Sequence, residues 1–428
     1  MSKANNYSRY CLLLIILLIS NLLSAQNRIA SPYSRFGIGD IDENNNAWNF
    51  SMGETGVAFR SPSHINYLNP ASYTEFDSLS FLLEGGFQLS SVQLRTNTQT
   101  ASRNYGSLAY LLMGLPVTHW WRTSIGIVPF SNVGYNISVT EPRAGIGEVN
   151  RTYTGEGGIN RFNWGNGFQI TKNLSIGVNA SYLFGNSNRR SEVLFPDSLY
   201  NLNTVIDNDV TVNSFYFDFG AQYSFRLKKD ISMVIGGIFA PKTGISAKSG
   251  QLARTFELLT DASEKILDTI YQTPDAHGKI MFPLSLGAGV SVTKPDHWLV
   301  GADFKWENWK NYTAFDLADS LVNSYQISVG AEILPNINAF TNYLKRIRYR
   351  VGFNYNHTYL ELRGKQLNDY AFSVGFGLPV RNSKTGINLG LQVGSAGTLE
   401  SNLIKATYFK FVLGFSLYER WFVKRKYY

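Results

Sequence analysis

The feature that most constrains this chain is a two-residue alternation sustained well beyond the length of an ordinary strand. Phe215, Phe217, Phe219, Ala221, Tyr223, Phe225 and Leu227 fall on one face, and Tyr216, Asp218, Gly220, Gln222, Ser224 and Arg226 on the other. The stretches 174–184, 282–293 and 298–307 alternate in the same way. Successive side chains of a strand point to opposite faces, so a period of two is a strand signal. Strands of water-soluble sheets usually run ~5–6 residues, whereas a tilted strand needs ~9–11 to cross a bilayer. A continuous apolar face opposite small polar residues fits lipid on one side and a wet lumen on the other. Lipid offers the backbone no hydrogen bonds, so such a sheet has to close on itself. The expected fold is all-β, a closed antiparallel transmembrane β-barrel.

Turn residues divide the chain into fourteen expected strands: 79–95, 104–118, 121–140, 153–171, 173–188, 209–228, 231–256, 271–294, 297–312, 321–334, 346–362, 366–381, 385–396 and 402–423. The count is even, as single-chain bacterial barrels require. Short connections, such as Thr171-Lys172 and Lys294-Pro295-Asp296, alternate with longer ones at 189–208 and 257–270, as periplasmic turns and outer loops do. The connection at 335–345 is long for the short side. Trp120, Trp121, Trp298 and Trp421 lie at strand ends on that side, where an interfacial aromatic belt belongs. A set of soluble sandwich domains would need internal Gly/Pro/Ser linkers, and a propeller would need an internal repeat; neither is present.

Composition agrees. Only 16% of the 428 residues are charged, against ~25% in an average soluble domain. No basic run suits nucleic acid. The N-terminus reads as an export signal: Lys3 and Arg9 precede the apolar stretch 11–19, and Ser24-Ala25 ends a cleavage site before Gln26. The one cysteine, Cys11, lies in that signal, so the mature chain has no disulfide, thiol nucleophile or thiolate metal ligand. These features place the protein in the outer membrane of a Gram-negative envelope, with outer-membrane lipid around it.

Residues 26–76 break the pattern. They hold Gly, Asn, Pro and aromatic residues, including Met52-Gly53-Glu54-Thr55-Gly56-Val57-Ala58 and His64-Ile65-Asn66-Tyr67-Leu68-Asn69-Pro70-Ala71-Ser72-Tyr73. Irregular backbone at membrane depth must be buried in protein or wet, so the expected place for this segment is the barrel lumen, as a hatch. The alternative is a disordered periplasmic arm, against which the aromatic content speaks. A short helix is expected near 63–68, ended at Pro70. The division is therefore a signal at 1–25, a hatch at 26–76 and a barrel at 77–428.

The sequence resembles the FadL-type outer-membrane transporter family. The resemblance rests on the Met52–Ala58 motif followed by Asn69-Pro70-Ala71 just before the first strand, then Val128-Pro129-Phe130, Pro283-Leu284-Ser285-Leu286-Gly287 and Gly301-Ala302-Asp303-Phe304-Lys305-Trp306-Glu307-Asn308-Trp309. It covers most of the mature chain. It implies a fourteen-stranded barrel plugged by a hatch with Gly53, Gly56, Asn69, Pro70 and Ala71, and a kink in the third strand that opens a lateral hole for apolar substrates. Pro129, Phe130 and Ser131 occupy the kink position; the family often has Gly where this chain has Ser131. Pro cannot donate to a ladder and so forces a bulge, edge or gap. A rim bulge without a transport role is the plainer alternative for Pro129.

Catalysis has little support. His64, His119, His277, His297 and His357 are scattered without metal-ligand spacing, and no Gly-x-Ser-x-Gly elbow occurs. No catalytic residue, metal or cofactor is expected. Asp218, Arg226, Asp303, Lys305 and Glu307 sit on polar strand faces and form the candidate lumenal network. Lys305 or Arg226 would receive a carboxylate head group in a transporter, but a bracing ion-pair network is the favoured reading. The leading function is passive uptake of hydrophobic small molecules, fatty acids or aromatic hydrocarbons, gated by the hatch with exit beside Pro129. The alternative is a FadL-like barrel serving protein secretion through a secretion-system partner, which polar outer loops such as 189–208 suit. The C-terminal Trp421-Phe422 and Tyr427-Tyr428 resemble the signal read by the barrel-assembly machinery.

Overall fold

The computed structural model describes residues 29–42, 46–197, 201–259, 263–339, 341–380 and 383–421. The expected export signal and residues 422–428 of the C-terminal stretch lie outside the described residues.

A two-residue strand, β1 (Asp40–Ile41), and a one-turn helix, α1 (Ala47–Phe50), come first. The wall follows as β2 (Ser80–Arg95), β3 (Thr100–Pro116), β4 (Trp121–Arg143), β5 (Gly147–Gln169), β6 (Leu174–Leu194), β7 (Asn203–Lys228), β8 (Ile231–Ala240), β9 (Thr243–Leu258), β10 (Glu264–Phe282), β11 (Ser285–Lys294) and β12 (Trp298–Glu307). A small hairpin, β13 (Thr313–Ala314) and β14 (Leu317–Ala318), precedes β15 (Ser324–Ile333), β16 (Arg348–Leu362), β17 (Lys365–Pro379), β18 (Gly386–Gly397) and β19 (Lys405–Arg420). β19 pairs with β2 from Lys405↔Arg95 to Arg420↔Ser80, which closes the barrel. β8 with β9, and β10 with β11, are each one interrupted wall strand, so the wall has the expected fourteen.

The interruptions correct the expectation of unbroken strands at 231–256 and 271–294. They fall at Pro241-Lys242 and Pro283-Leu284, where proline withholds a ladder donor. Beside them β7 changes partner: residues 219–228 pair with β8 and residues 203–212 with β9. The strand expected over 297–312 ends at Glu307, before a 3₁₀ turn (Trp309–Asn311). The outer loops expected at 189–208 and 257–270 are largely strand, because β6 runs to Leu194, β7 starts at Asn203 and β10 starts at Glu264. These outer stretches lie beyond the lipid band, so no continuous apolar outer face marks them as strands.

Across the membrane the alternation holds. Phe215, Phe372 and Val393 are exposed on the outside, whereas Asn179, Gln222, Ser373 and Gln392 are buried within. Further out a crease crosses β4, β5 and β6. It begins at a bulge between Pro129 and Ser131 and continues through Gly158 and Gly185, at φ 155° and 151°. A Cβ on Gly158 would stand 2.3 Å from the Ser131 carbonyl oxygen, and one on Gly185 2.2 Å from that of Gly158. The strands therefore approach too closely there for any other residue. Beyond the crease the inward face turns apolar: Ile159, Leu183, Val212, Ile245, Ile280 and Phe282 pack with Ile38, Phe130 and Trp309. The rule of a polar interior fails in this layer because side chains of facing strands pack on one another, and each buried side chain gains ~1.5–3 kcal/mol.

Candidate functional site: the lumenal chamber and the β3–β4 seam

The segment before β2 is bonded within itself and to the wall. No helix forms at 63–68; instead a 3₁₀ helix (Pro70–Glu75) starts at the proline. Proline suits a first helical position, where its missing N–H is not needed. Asn69 caps that helix by accepting from the Ala71 N–H (3.1 Å) and donates to the Val57 carbonyl (2.7 Å). Asn66 donates to the Gly56 and Phe59 carbonyls (2.6 and 3.0 Å). The His64–Tyr73 stretch packs against the wall. The Tyr73 hydroxyl donates to Asn179 of β6 (3.0 Å), and His64 Nδ1 lies 2.7 Å from Glu84 of β2.

The wall accommodates this backbone with lumen-facing glycines. A Cβ on Gly352 would lie 2.0 Å from the Met52 carbonyl carbon, and one on Gly177 2.4 Å from that of Pro70. Gly220, Gly236 and Gly330 make similar approaches to Asn69, Val57 and Met52. Gly53, at φ 66°, would bring a Cβ within 2.5 Å of the Phe353 backbone nitrogen, and Gly56 one within 2.1 Å of Asn49 Nδ2. At these points chain touches chain.

The candidate charges divide into groups. Asp303 Oδ2 accepts from the N–H groups of Gly56 and Val57 (2.6 and 2.8 Å), clasping the segment. Lys305 and Glu307 pair at 3.1 Å. Asp218 lies 3.5 Å from Arg161 of β5 and accepts from Asn179 (2.6 Å). Asp218, Lys305 and Glu307 share a cavity of about 90 Å³ with Phe130 and Trp309. Arg226 is not part of this group; it stands exposed near the periplasmic end of β7. Sequence reading missed Arg161, and it missed Glu332 with Arg348 and Arg350 (both 2.7 Å). It also missed Glu54, which accepts from Gln326 (3.0 Å) and Asn354 (3.1 Å). The polar identity of these positions on alternating strands was the available signal; their register was not. Among the described residues no group of His, Cys, Asp and Glu could hold a metal ion.

Pro129, Phe130 and Ser131 lie where β4 leaves its neighbour. β3 pairs with β4 only from Pro116↔Arg122 to Leu111↔Ile127. Beyond that, residues 128–134 of β4 are buried on both faces. Phe130 stacks on Phe282 (5.4 Å), and Asn132 and Ser131 pair with Asp40 and Ile41 of β1. A bulge in the β2–β3 ladder between Gly86 and Phe87 lies at the same level on the other side. Behind the parted strands is a chamber of about 260 Å³, lined among others by Tyr105 and Ser107 of β3, Asn132 of β4, Glu54 and Lys410.

The BamG family model matches residues 8–428. None of the curated proteins matches the sequence. Among solved structures, the Pseudomonas putida toluene transporter TodX is 16% identical, with 90% of this chain and 99% of that chain covered and a TM-score of 0.58. A Pseudomonas aeruginosa FadL homologue is 10% identical over 89% and 99% (TM-score 0.58). The Ralstonia pickettii toluene transporter TbuX is 12% identical over 89% and 99% (TM-score 0.56). At these identities the likeness is one of fold.

Proposed function

From the premise that this chain belongs to the BamG family, we propose an outer-membrane channel for passive movement of small, largely apolar molecules, with residues 26–76 as its hatch. The observation that carries this reading is the incomplete β3–β4 ladder with a chamber directly behind it. A solute there faces lipid across two parted strands instead of a hydrogen-bonded wall. Leu108, Leu111 and Ile127 are exposed on the lipid side of the seam and offer it an apolar landing. The kink at Pro129-Phe130-Ser131 holds β4 inward, and the hatch motif Gly53, Gly56, Asn69, Pro70 and Ala71 closes the lumen below. The shared fold with proteins titled toluene transporters and a FadL homologue supports the same class of solute.

The test is uptake of labelled toluene into vesicles with a lipopolysaccharide outer leaflet. Ser107→Trp should fill the chamber mouth, cutting uptake by at least tenfold with an unchanged melting temperature. Undiminished uptake by a folded variant would sink the reading.

A second reading is favoured by the outer strands. Beyond the crease, Asp207 pairs with Arg190 (3.6 Å) and Arg254 (2.7 Å), and Arg190 also pairs with Glu264. Ordered polar strands of this kind suit a protein partner, and the BamG match hints at a relationship with barrel assembly. Native mass spectrometry of protein released gently from its own membrane separates the two. A stoichiometric protein partner without a small adduct supports the accessory role, and an adduct of a few hundred daltons supports the channel.

A further inference from the structure

The chamber behind the seam has a chemistry of its own. Five carboxylates line it (Asp40, Asp42, Glu54, Glu307 and Asp369), against two ammonium groups, Lys305 and Lys410. Hydrogen-bond acceptors are also in surplus. Asn354, 4% exposed, donates through Nδ2 to Glu54 (3.1 Å), which fixes its amide orientation, and its Oδ1 has no partner. Asn132 lines the chamber too, is 8% exposed, and its Oδ1, like that of Asn354, has no partner among the described residues.

The acidic groups do not converge on one point: none of the described His, Cys, Asp and Glu residues form a metal-holding group. The surplus is spread over the walls of a space of about 260 Å³, slightly below the ~300–1,000 Å³ of ordinary small-molecule sites. Aromatic faces complete the lining with Tyr105, Tyr325 and Tyr408. The wall already holds one alkylammonium in this manner, since Lys410 Nζ sits 4.8 Å from the Tyr408 ring centroid. A ring quadrupole attracts a cation, and a primary ammonium brings three donors and no acceptor.

We infer that the chamber takes a small organic cation, a primary ammonium on a short apolar body, in preference to a carboxylate. This names the solute class of the channel proposed above; passage rests on that reading, binding does not. The apolar body suits the lipid side of the seam and the ammonium suits the interior. A fatty-acid head group would add a further carboxylate to this lining.

The experiment is calorimetric titration of the full chain in detergent with benzylamine, benzyl alcohol and phenylacetate, which share a ring and differ in charge. Benzylamine should bind at least tenfold tighter than benzyl alcohol, with phenylacetate weakest. Asp369→Asn and Asp40→Asn, each nearly isosteric, should each reduce the benzylamine preference several-fold. Equal binding of all three, tighter phenylacetate, or a preference untouched in both folded variants would overturn the inference. Vesicle uptake keeps the two proposals apart. Benzylamine bound but blocked by nothing at Ser107 would remove the channel and leave the site. Benzyl alcohol passing without benzylamine preference would do the reverse.

Discussion

The segment before β2 meets the wall in two ways. Toward β15 and β16 it lies chain against chain, with Gly330 and Gly352 leaving no room for a methyl group beside Met52. Toward Tyr105 and Ser107 of β3 it stands off, although β1 still pairs with β4, and Asp40, Asp42 and Glu54 face a chamber of about 260 Å³. The wall repeats the contrast. β19 and β2 are paired along their whole length, whereas the β3–β4 ladder stops at Leu111↔Ile127. A membrane sheet loses several kcal/mol for each backbone group left unpaired in lipid. An opening is therefore tolerable only where lumenal water or β1 meets the freed groups, and that happens on one side alone.

Removing residues 27–73 should break the contrast most completely. Both contact modes vanish, and the remaining barrel should conduct ions in planar bilayers far better than the intact protein; equal conductance would place the segment outside the lumen. Gly352→Val attacks the close side alone. Its side chain would overlap the Met52 carbonyl carbon, so a loss of ~3 kcal/mol or more is expected, read from the melting transition. Gly237→Ala is the control: its Cβ meets nothing nearer than 3.9 Å, and the change should stay within ~0.5 kcal/mol. Hydrogen exchange sharpens the wall comparison without a mutation. Outward amides of β3 over 106–110 should exchange ~1,000-fold faster than amides shared by β2 and β19; matched rates would mean that the seam is closed in solution.

The smallest effect belongs to the periplasmic rim. Asp77, just before β2, takes a hydrogen bond from the Tyr418 hydroxyl (2.6 Å) and pairs with Lys384. Burial alone would raise its pKa, but Lys384 and Tyr418 outweigh burial and hold it below the usual carboxylate value. A depressed acid contributes stability above its unfolded pKa and loses it as pH falls through the folded one. Asp77→Asn should thus lower the melting temperature by ~1 °C at pH 7, as a half-exposed pair would, and leave it unchanged near pH 3. A loss that is the same at both pH values would rule out the ion pair.

Much of the fold was legible because lipid imposes a strict pattern. Phe215 to Leu227 reads as a membrane strand from its alternation alone, and the strand count follows from such runs. Past the membrane that constraint lapses, so the outer parts of β6, β7 and β10 looked like loops. Pro241 and Pro283 were visible, but nothing in one strand reveals that its neighbour breaks at the same height. The site was legible by residue type and not by pairing. Asp303 and Asp218 were expected on the lumen side, yet their partners, Gly56 with Val57 and Arg161, come from distant parts of the chain. Gly352 carries no signal of its own in the sequence, and its purpose appears only once Met52 is in place.

The pairing of β19 with β2 fixes an order of events in assembly. The last strand seals a ring directly beside the first, and residues from Ile29 onward are in contact with the strands of that ring. A finished barrel this closely fitted leaves no passage for threading them in afterwards. The segment from Ile29 to Phe76 would therefore have to be seated while the wall is laid down around it. A chain stalled before β19 would carry its interior exposed to the periplasm and to whatever holds unfinished barrels there.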